Sequence, residues 1–457
     1  MRWGQTQRIY QIEKEVHMKK HRFGLGVLTG FLITSIIGAS IAVGFFYGAY
    51  NNAEVSSRTE KKLNLIEKAI DNYYLGDVDK NKEVEGVYKG IVQGLGDKYS
   101  EYITAEEYAK EKEENSGEYC GIGAGIAIDE DKGYPMVTFV YPNSPSEKVG
   151  IQKGDYIIEL DGKDNRGLSA DQVASKARGK KGTKLKVKYF SKKLKKYQEV
   201  AITRDVVDVP SVDSTIIDKK YNIAYMQLGQ FIENTHNQFA KQIKKLKKKN
   251  AKGIIIDLRG NPGGLLTSVT KILDDICPEG KLITVKDKEG RANSITSDAR
   301  QLDIPLVLIV DGTTASAAEL FSGAVQDYNK GKVVGEQTYG KGVVQNTYPL
   351  TDGSALKLTV EKYYTPKGRS INHKGITPDI KVSNTETEDV QYKTALNTMK
   401  KVIDPKKFEA EQKAAQKVSN KAAQKAKAAN KNNSKKINKN KNNSKKTNKK
   451  KNKKAGK

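Results

Sequence analysis

Apolar and polar positions divide the chain into segments of distinct character. Phe23 to Ala53 carries no charged residue over 31 consecutive positions, and about 20 apolar residues suffice for a membrane-spanning helix. The stretch predicts a transmembrane anchor. Leu63, Ile66, Ile70 and the pair Tyr73, Tyr74 then recur at helical spacing. A second periodic run, Val84 to Leu95, ends at Gly94-Leu95-Gly96-Asp97. From Tyr119 to Arg204 the pattern changes to short runs such as Gly125–Ile128, Met136–Val140, Asp155–Leu160 and Leu185–Tyr189, separated by Gly, Pro, Asn and Asp. These predict strands. Farther on, the continuous apolar runs Gly253–Leu258 and Pro305–Asp311 alternate with helical segments, which predicts a sheet covered on both faces. From Lys406 the patterning disappears.

Charge sharpens the ends of this picture. The 457 residues hold 81 Lys and Arg against 54 Asp and Glu, a net +27. Lys406 to Lys457 contributes 20 Lys against two Glu, and Met1 to Arg22 six basic residues against two acidic ones. The region between is close to neutral, which argues against a basic nucleic-acid-binding domain. The tail has one aromatic, Phe408. Too little apolar surface remains there to offset the entropy of ordering, so a disordered tail is expected, with transient helix from Glu409 to Asn430. It is either a solvated tail or a cation-rich arm for anionic lipid headgroups or wall polymers.

Lys19, Lys20, His21 and Arg22 precede the uncharged span. Positive charge stays on the cytoplasmic side, so the expected localisation is the cell membrane, single-pass, with the N-terminus cytoplasmic and the rest of the chain extracytoplasmic. A cleaved signal peptide is the alternative, although its apolar part is about 7–15 residues. A buried core helix is another. Nucleic acid is then not an expected partner. Two cysteines, Cys120 and Cys277, exclude a disulfide-dense scaffold and a zinc site built from cysteine pairs, while leaving one bridge open. The four histidines form no HExxH motif and no His/Cys cluster, which disfavours metal catalysis.

Gly121-Ile122-Gly123 enters the strand that holds Ile126. Glycines let consecutive N–H groups converge into a nest for a terminal carboxylate, and the adjoining strand edge can take a peptide by β-augmentation. An ordinary hairpin would look similar. The run Ser144-Pro145-Ser146-Glu147-Lys148-Val149-Gly150-Ile151-Gln152-Lys153-Gly154-Asp155, continuing to Gly162, is more specific. Together these segments resemble a PDZ domain over residues 119–204. The resemblance implies that Gly121, Ile122 and Gly123 form the carboxylate loop and Ile126 the ligand-pairing strand. Arg178, after a predicted helix, either reads an incoming carboxylate, docks on the neighbouring domain, or is an ordinary surface arginine.

Three further motifs carry chemistry. Asp311-Gly312-Thr313-Thr314-Ala315-Ser316-Ala317-Ala318-Glu319 follows an apolar strand and opens a helix. A serine there presents its hydroxyl beside amides aimed at a developing oxyanion. Ser316-x-x-Glu319 is equally a capping box. A nucleophilic serine needs a base. His236 and His373 lie in polar segments, so a His-dependent site stays open. Lys341, between Gly340 and Gly342, is the other candidate, because a desolvated lysine becomes a neutral base; an exposed Gly-Lys-Gly turn is the bland reading. Asp257-Leu258-Arg259-Gly260-Asn261-Pro262-Gly263-Gly264 offers glycine amides for an oxyanion hole, or is a plain loop.

All three, in this order behind a PDZ-like segment and a helical segment ending Gly94 to Tyr102, resemble the C-terminal processing peptidases, or tail-specific proteases, from about Leu63 to Val382. The resemblance implies Ser316 as nucleophile, Lys341 as general base and Gln345 as the residue orienting that lysine. It implies oxyanion donors from the backbone of Gly263, Gly264 and Ala317, with no cofactor and no metal. The expected fold is α+β multidomain: a cytoplasmic basic segment (1–22), a transmembrane helix (23–53), a helical segment (54–117), a β-rich PDZ domain (118–205), a mixed α/β serine peptidase core (206–400) and a disordered basic tail (401–457). The expected function is a membrane-anchored serine endopeptidase acting on proteins with free C-termini, with a homodimer as an open option. The alternative is a non-catalytic, membrane-tethered PDZ scaffold. PDZ occupancy is further expected to align Lys341 with Ser316.

Overall fold

The computed structural model describes residues 57–418, 420 and 421. The expected cytoplasmic segment, the anchor at 23–53 and the tail beyond Lys421 lie outside the described residues. Among those described, no helix is long and apolar enough to cross a membrane. The chain forms two compact units, one reaching to Glu111 and including Val344–Val360, the other holding Lys112–Val343 and everything from Glu361.

The first unit begins with the two predicted helices, α1 (Ser57–Tyr73) and α2 (Lys80–Gln93). Asp79 caps α2 by accepting the N–H groups of Asn81 and Lys82. Past the turn at Gly96, which holds φ +69°, Asp97 accepts the Ser100 hydroxyl at 2.6 Å and the Tyr99 N–H at 3.2 Å. Burial pushes the Asp97 carboxyl up, but these bonds outweigh it and hold the group below its usual value. β1 (Glu101–Ile103) follows with Tyr102 and Ile103 buried. α3 (Ala105–Ser116) opens on a reciprocal Thr104/Glu107 cap and runs past the unit boundary.

The second unit starts with the predicted β region: β2 (Glu118–Gly121), β3 (Ala124–Asp129), β4 (Tyr134–Val140), α4 (Pro145–Lys148), β5 (Tyr156–Leu160), β6 (Lys163–Asp164), α5 (Ala170–Ala177), β7 (Lys184–Ser191), β8 (Lys196–Thr203) and β9 (Asp205–Asp208). One sheet runs β3-β4-β5-β7-β8, with β6 on β5, and β2 pairs with β9. Val137, Ile157, Val173, Val187 and Ile202 are fully buried in its core. β3 is an edge strand.

The larger part of this unit is α/β. It holds β10 (Val212–Asp218), β11 (Ile223–Leu228), α6 (Thr235–Lys248), β12 (Gly253–Asp257), α7 (Leu266–Ile276), the β13 (Gly280–Lys286) and β14 (Ala292–Ser297) hairpin, β15 (Leu306–Val310), α8 (Ala317–Asp327) and β16 (Gly331–Gly335). β17 (Val343–Pro349) and β18 (Ala355–Tyr364) form a hairpin, and β19 (Ile380–Lys381) and α9 (Val390–Ile403) close the fold. The start of β18 pairs with β1 in the first unit; its end, Lys362 to Tyr364, pairs with β13 in the second.

The central sheet runs β10-β11-β12-β15-β16-β19, parallel except at β10. All five positions of both β12 and β15 are buried, as continuous apolar runs require when helices cover both faces. Ile255, Val307, Ile309 and Val334 pack with Ala395 and Met399 of α9. Strand alternation gives Ile254, Ile256 and Leu308 to the other face. The C-terminal ends of β12, β15 and β16 lead into the loops carrying Gly263, Ser316 and Lys341, the edge where open α/β sheets place their sites.

The tail expected to be disordered from 401, with transient helix from Glu409, is helical in its first part. Residues 401–403 finish α9 and 405–418 are helical. Lys407 Nζ donates to the Lys220 carbonyl at 2.9 Å, and Lys220 pairs with Glu411. Local alanine content and these contacts order what composition alone marks as a tail.

Candidate active site

Ser316 stands at the sharp turn between β15 and α8. Asp311 builds that turn, accepting the N–H groups of Thr313 and Thr314 at 3.0 and 2.9 Å and the Thr313 hydroxyl at 2.7 Å. Burial pushes Asp311 up, yet these bonds hold its carboxyl below the usual range. Ser316 has φ +54° and ψ −120°, a conformation that costs a side-chain-bearing residue about 1–3 kcal/mol. The capping-box reading is half realised. Glu319 accepts the Ser316 N–H at 2.8 Å, while the Glu319 N–H goes to the Ser316 carbonyl at 2.9 Å. The cap therefore works through the serine main chain.

Glu319 does more than cap. It is fully buried. Its Oε1 accepts the Thr338 hydroxyl at 2.6 Å and the Gly340 N–H at 2.7 Å. Its Oε2 accepts the Ser316 N–H and, at 2.9 Å, the Lys341 N–H. Burial raises its carboxyl above the ordinary glutamate value, against the pull of these four bonds. The backbone nitrogens of Ser316 and Lys341 share one acceptor atom, although 25 positions separate them in the chain. Sequence reasoning treated Glu319 only as a cap; its fourfold role had no local signal.

The Lys341 loop is not an open hairpin turn. Gly340 has φ +91°, and a Cβ on Gly342 would lie 2.1 Å from the Asn372 nitrogen. Only glycines let the two loops come this close. The Tyr339 N–H donates to the Thr314 carbonyl at 3.0 Å, and the His373 N–H to the Gly340 carbonyl at 2.8 Å. The Tyr363 hydroxyl donates to the Lys341 carbonyl. Lys341 is half-buried. Gln345, in the first unit, donates its side-chain amide to the Thr359 hydroxyl at 3.1 Å.

Gly263 packs directly beneath the serine. A Cβ at this position would lie 2.8 Å from Ser316 Cβ and 2.9 Å from the Ala317 nitrogen, and its φ is +105°. Ala317 opens α8, so its N–H has no intrahelical partner. One expectation needs correction. The Gly263 N–H is donated to Asn261 Oδ1 at 2.8 Å, because the Asn261 side chain folds back over its own turn. In this state Gly263 offers no oxyanion donor. Gly264 packs against the Phe231 carbonyl and pairs with Phe231 as an isolated bridge.

The Peptidase family S41 model matches residues 222–382, and a PDZ domain model matches 112–189. A "Probable CtpA-like serine protease" of Staphylococcus haemolyticus is 34% identical over 381 residues, covering 82% of this chain and 75% of that protein. The protein of the same description from Staphylococcus aureus is 33% identical over 401 residues, covering 86% and 79%. This chain belongs to peptidase family S41. It is a serine-type peptidase with a PDZ domain. Among solved structures, the photosystem II D1 C-terminal processing protease matches at 25% identity with a TM-score of 0.41, covering 70% of this chain and 86% of that one.

Two histidines of this S41 peptidase, His236 and His373, lie among the described residues. His236 Nε2 lies 2.9 Å from Asp275 Oδ2, bridging α6 and α7. His373 meets the Lys341 loop through its main chain and leaves its side chain exposed. Among the described residues no cluster of His, Cys, Asp and Glu could hold a metal ion. Cys120 and Cys277 are both free thiols, so the open bridge does not form.

In the PDZ domain, Gly121 and Gly123 form the turn between β2 and β3. Gly123 has φ +77°, and a Cβ there would lie 2.3 Å from Ser144 Cβ. Ile122 is 2% exposed and belongs to the core, so it serves the loop through its backbone. Ile126 faces partly inward on edge strand β3, which is paired on one side with β4. Arg178 Nη1 is committed to Glu113 at 2.5 Å and sits over the Tyr119 ring at 5.3 Å. Burial pushes the Tyr119 phenol up to about 12, against the pull of Arg178 and a hydrogen bond from the Gly123 backbone.

Proposed function

We propose that this S41 peptidase is a membrane-tethered serine endopeptidase that captures C-terminal tails of proteins in its PDZ domain and cuts them with a Ser316–Lys341 dyad. The observation that carries this reading is the single oxygen, Glu319 Oε2, accepting main-chain N–H groups from both residues. Lys341, as a neutral amine, takes the proton from Ser316 Oγ as it attacks the scissile carbonyl. The Ala317 N–H stabilises the oxyanion, joined by the Gly264 N–H. Each such donor is worth about 3–4 kcal/mol of barrier. Lys341 then returns the proton to the departing amine, and water releases the acyl group.

The peptide adds to the free edge of β3, with its carboxylate at the Gly121–Gly123 turn. PDZ occupancy aligns the dyad. The uncharged span at 23–53 holds the catalytic part outside the cell membrane, and the lysine-rich tail adds attraction for anionic surfaces.

Cleavage of an unfolded reporter by the full chain tests this, with products mapped from the carboxyl end. Ser316→Ala and Lys341→Ala should each lose activity by about 10⁴-fold or more, and His373→Ala should retain it. Loss in His373→Ala with a normal Lys341→Ala would transfer the base to the histidine. Identical behaviour of wild type and Ser316→Ala, both inert, would leave a tethered peptide binder. A C-terminal peptide that leaves hydrolysis of a short PDZ-independent substrate unchanged would reject activation.

A further inference from the structure

α6 carries no acidic residue, yet Lys241, Lys244, Lys245, Lys247 and Lys248 lie on it and Lys249 follows at once. Thr235, Phe239, Ile243 and Leu246 form its buried face, and all six lysines are exposed. Lys252 extends the set to the start of β12. None of the seven makes an ion pair with a described carboxylate. Lys245 donates to the Ser214 carbonyl at 3.2 Å and Lys252 to Asn250 Oδ1 at 3.0 Å; both partners are neutral. The acid lining the adjacent groove, Asp275, is engaged by His236, and Asp274 and Asp298 by Arg300; Asp208 accepts the side-chain amides of Asn234 and Gln238 at the start of the helix.

The helix dipole welcomes cations in the last turn, which accounts for Lys245, Lys247 and Lys248. It does not account for Lys241 or Lys244, which repel Lys245 and Lys248 one turn on. Such unrelieved repulsion fits a counter-charge supplied from outside the chain. The groove beside the helix, about 480 Å³, is lined by Phe239, Ile243, Lys244, Lys247, Arg300 and Leu302. A fixed phosphate or carboxylate ligand calls for arginine forks, but Arg300 is held by its two aspartates. Flexible lysines spread over one helix suit a diffuse anionic surface instead. Their place in the fold matters too. Lys249 and Lys252 precede β12 at the N-terminal edge of the sheet, while the Gly263, Ser316 and Lys341 loops leave its C-terminal edge.

We propose that the lysine face of α6 is a second membrane contact, adsorbing to the headgroups of an acidic phospholipid bilayer and holding the catalytic edge of the sheet away from it. The charge pattern carries this; the proposed tether at 23–53 only keeps the bilayer near.

Full-length protein in phosphatidylcholine bilayers, with or without phosphatidylglycerol, is acylated briefly on its lysines and the peptides are mapped. Lys241, Lys244, Lys247 and Lys248 should react several-fold more slowly on the acidic bilayer, and the protection should vanish near 1 M salt, where the Debye length is about 3 Å. K244E/K247E/K248E should abolish protection of Lys241, with hydrolysis of a short soluble peptide unchanged. Wild-type reactivity identical on both bilayers overturns the proposal. So does protection already present on the neutral bilayer or insensitive to salt, which would mean that a second copy, the tail or another protein covers the face. A chain that fails to enter neutral bilayers contradicts the tether alone; protection of these same lysines on acidic vesicles, lost in K244E/K247E/K248E, then still reads out this face.

Discussion

The main-chain N–H groups of Ser316 and Lys341 end on the same atom, Glu319 Oε2, at 2.8 and 2.9 Å. The two nitrogens can therefore be no farther apart than 5.7 Å, the sum of those distances. A buried carboxylate with four donors is a rigid hub, because releasing any one of them leaves a costly unpaired group.

Glu319→Gln should show what the hub does. The amide keeps the shape but turns one acceptor into a donor facing N–H groups. Loss of about 3 kcal/mol of charge-assisted bonding corresponds to a fall in kcat of about a hundredfold. KM should hold, because substrate binding uses other groups. Steady-state kinetics on a defined peptide decides; unchanged kcat would reduce Glu319 to a simple helix cap.

The same group predicts a pH dependence of stability. Burial raises Glu319 above the ordinary value of 4.5. The folded chain then holds this proton more tightly than the unfolded chain does. As pH rises from about 4.5, the unfolded state ionises first, so stability falls until pH passes the folded value and then levels off. Urea midpoints of wild type minus those of Glu319→Gln should decline across that window. A rising difference would reverse the sign assigned to burial.

Gly263→Ala tests the contact under the nucleophile. The new methyl would sit 2.8 Å from Ser316 Cβ at a φ of +105°. Either the loop or the serine elbow must move. Labelling of Ser316 by a fluorophosphonate should slow about a hundredfold, the usual consequence of a nucleophile displaced by about 1 Å, while the far-ultraviolet circular dichroism stays native. Normal labelling would show that the loop is free to shift.

Tyr119→Phe tests the PDZ turn. In this structure the Tyr119 ring packs against Gly121, with a Cβ there only 3.0 Å from Tyr119 Cε2, and the Gly123 main chain pulls on the Tyr119 phenol, so the hydroxyl crowds the turn proposed to take a peptide carboxylate. Removing the hydroxyl should tighten binding of a C-terminal peptide to the Ser316→Ala protein about fivefold, roughly 1 kcal/mol. Fluorescence anisotropy measures it, and weaker binding would make Tyr119 part of the ligand site.

Much of the fold was legible because burial writes itself locally. The runs Ile254-Ile255-Ile256 and Leu306 to Val310 are apolar at every position because helices cover both faces of their sheet. Alternating runs marked the PDZ strands, and the Leu63 to Tyr73 spacing marked α1. In the early tail the alanine-rich run marked helix from Glu409, but composition carries no record of the Lys220–Glu411 and Lys407 contacts that hold it.

The candidate site divides along the same line. By itself the sequence determined which residue types stand at the strand ends: a serine opening a helix, a lysine between glycines, and a glycine pair after a buried strand. Such choices obey short-range rules of turn conformation and helix capping. Only the tertiary structure decided that Glu319 joins Ser316 to Lys341, that Gly263 lies under the serine yet gives its N–H to Asn261, and that Arg178 is held by Glu113. A hydrogen bond needs its partners within about 3 Å and aligned, and residues far apart in the chain reach that geometry only when the packing of the sheet brings their loops to a common edge.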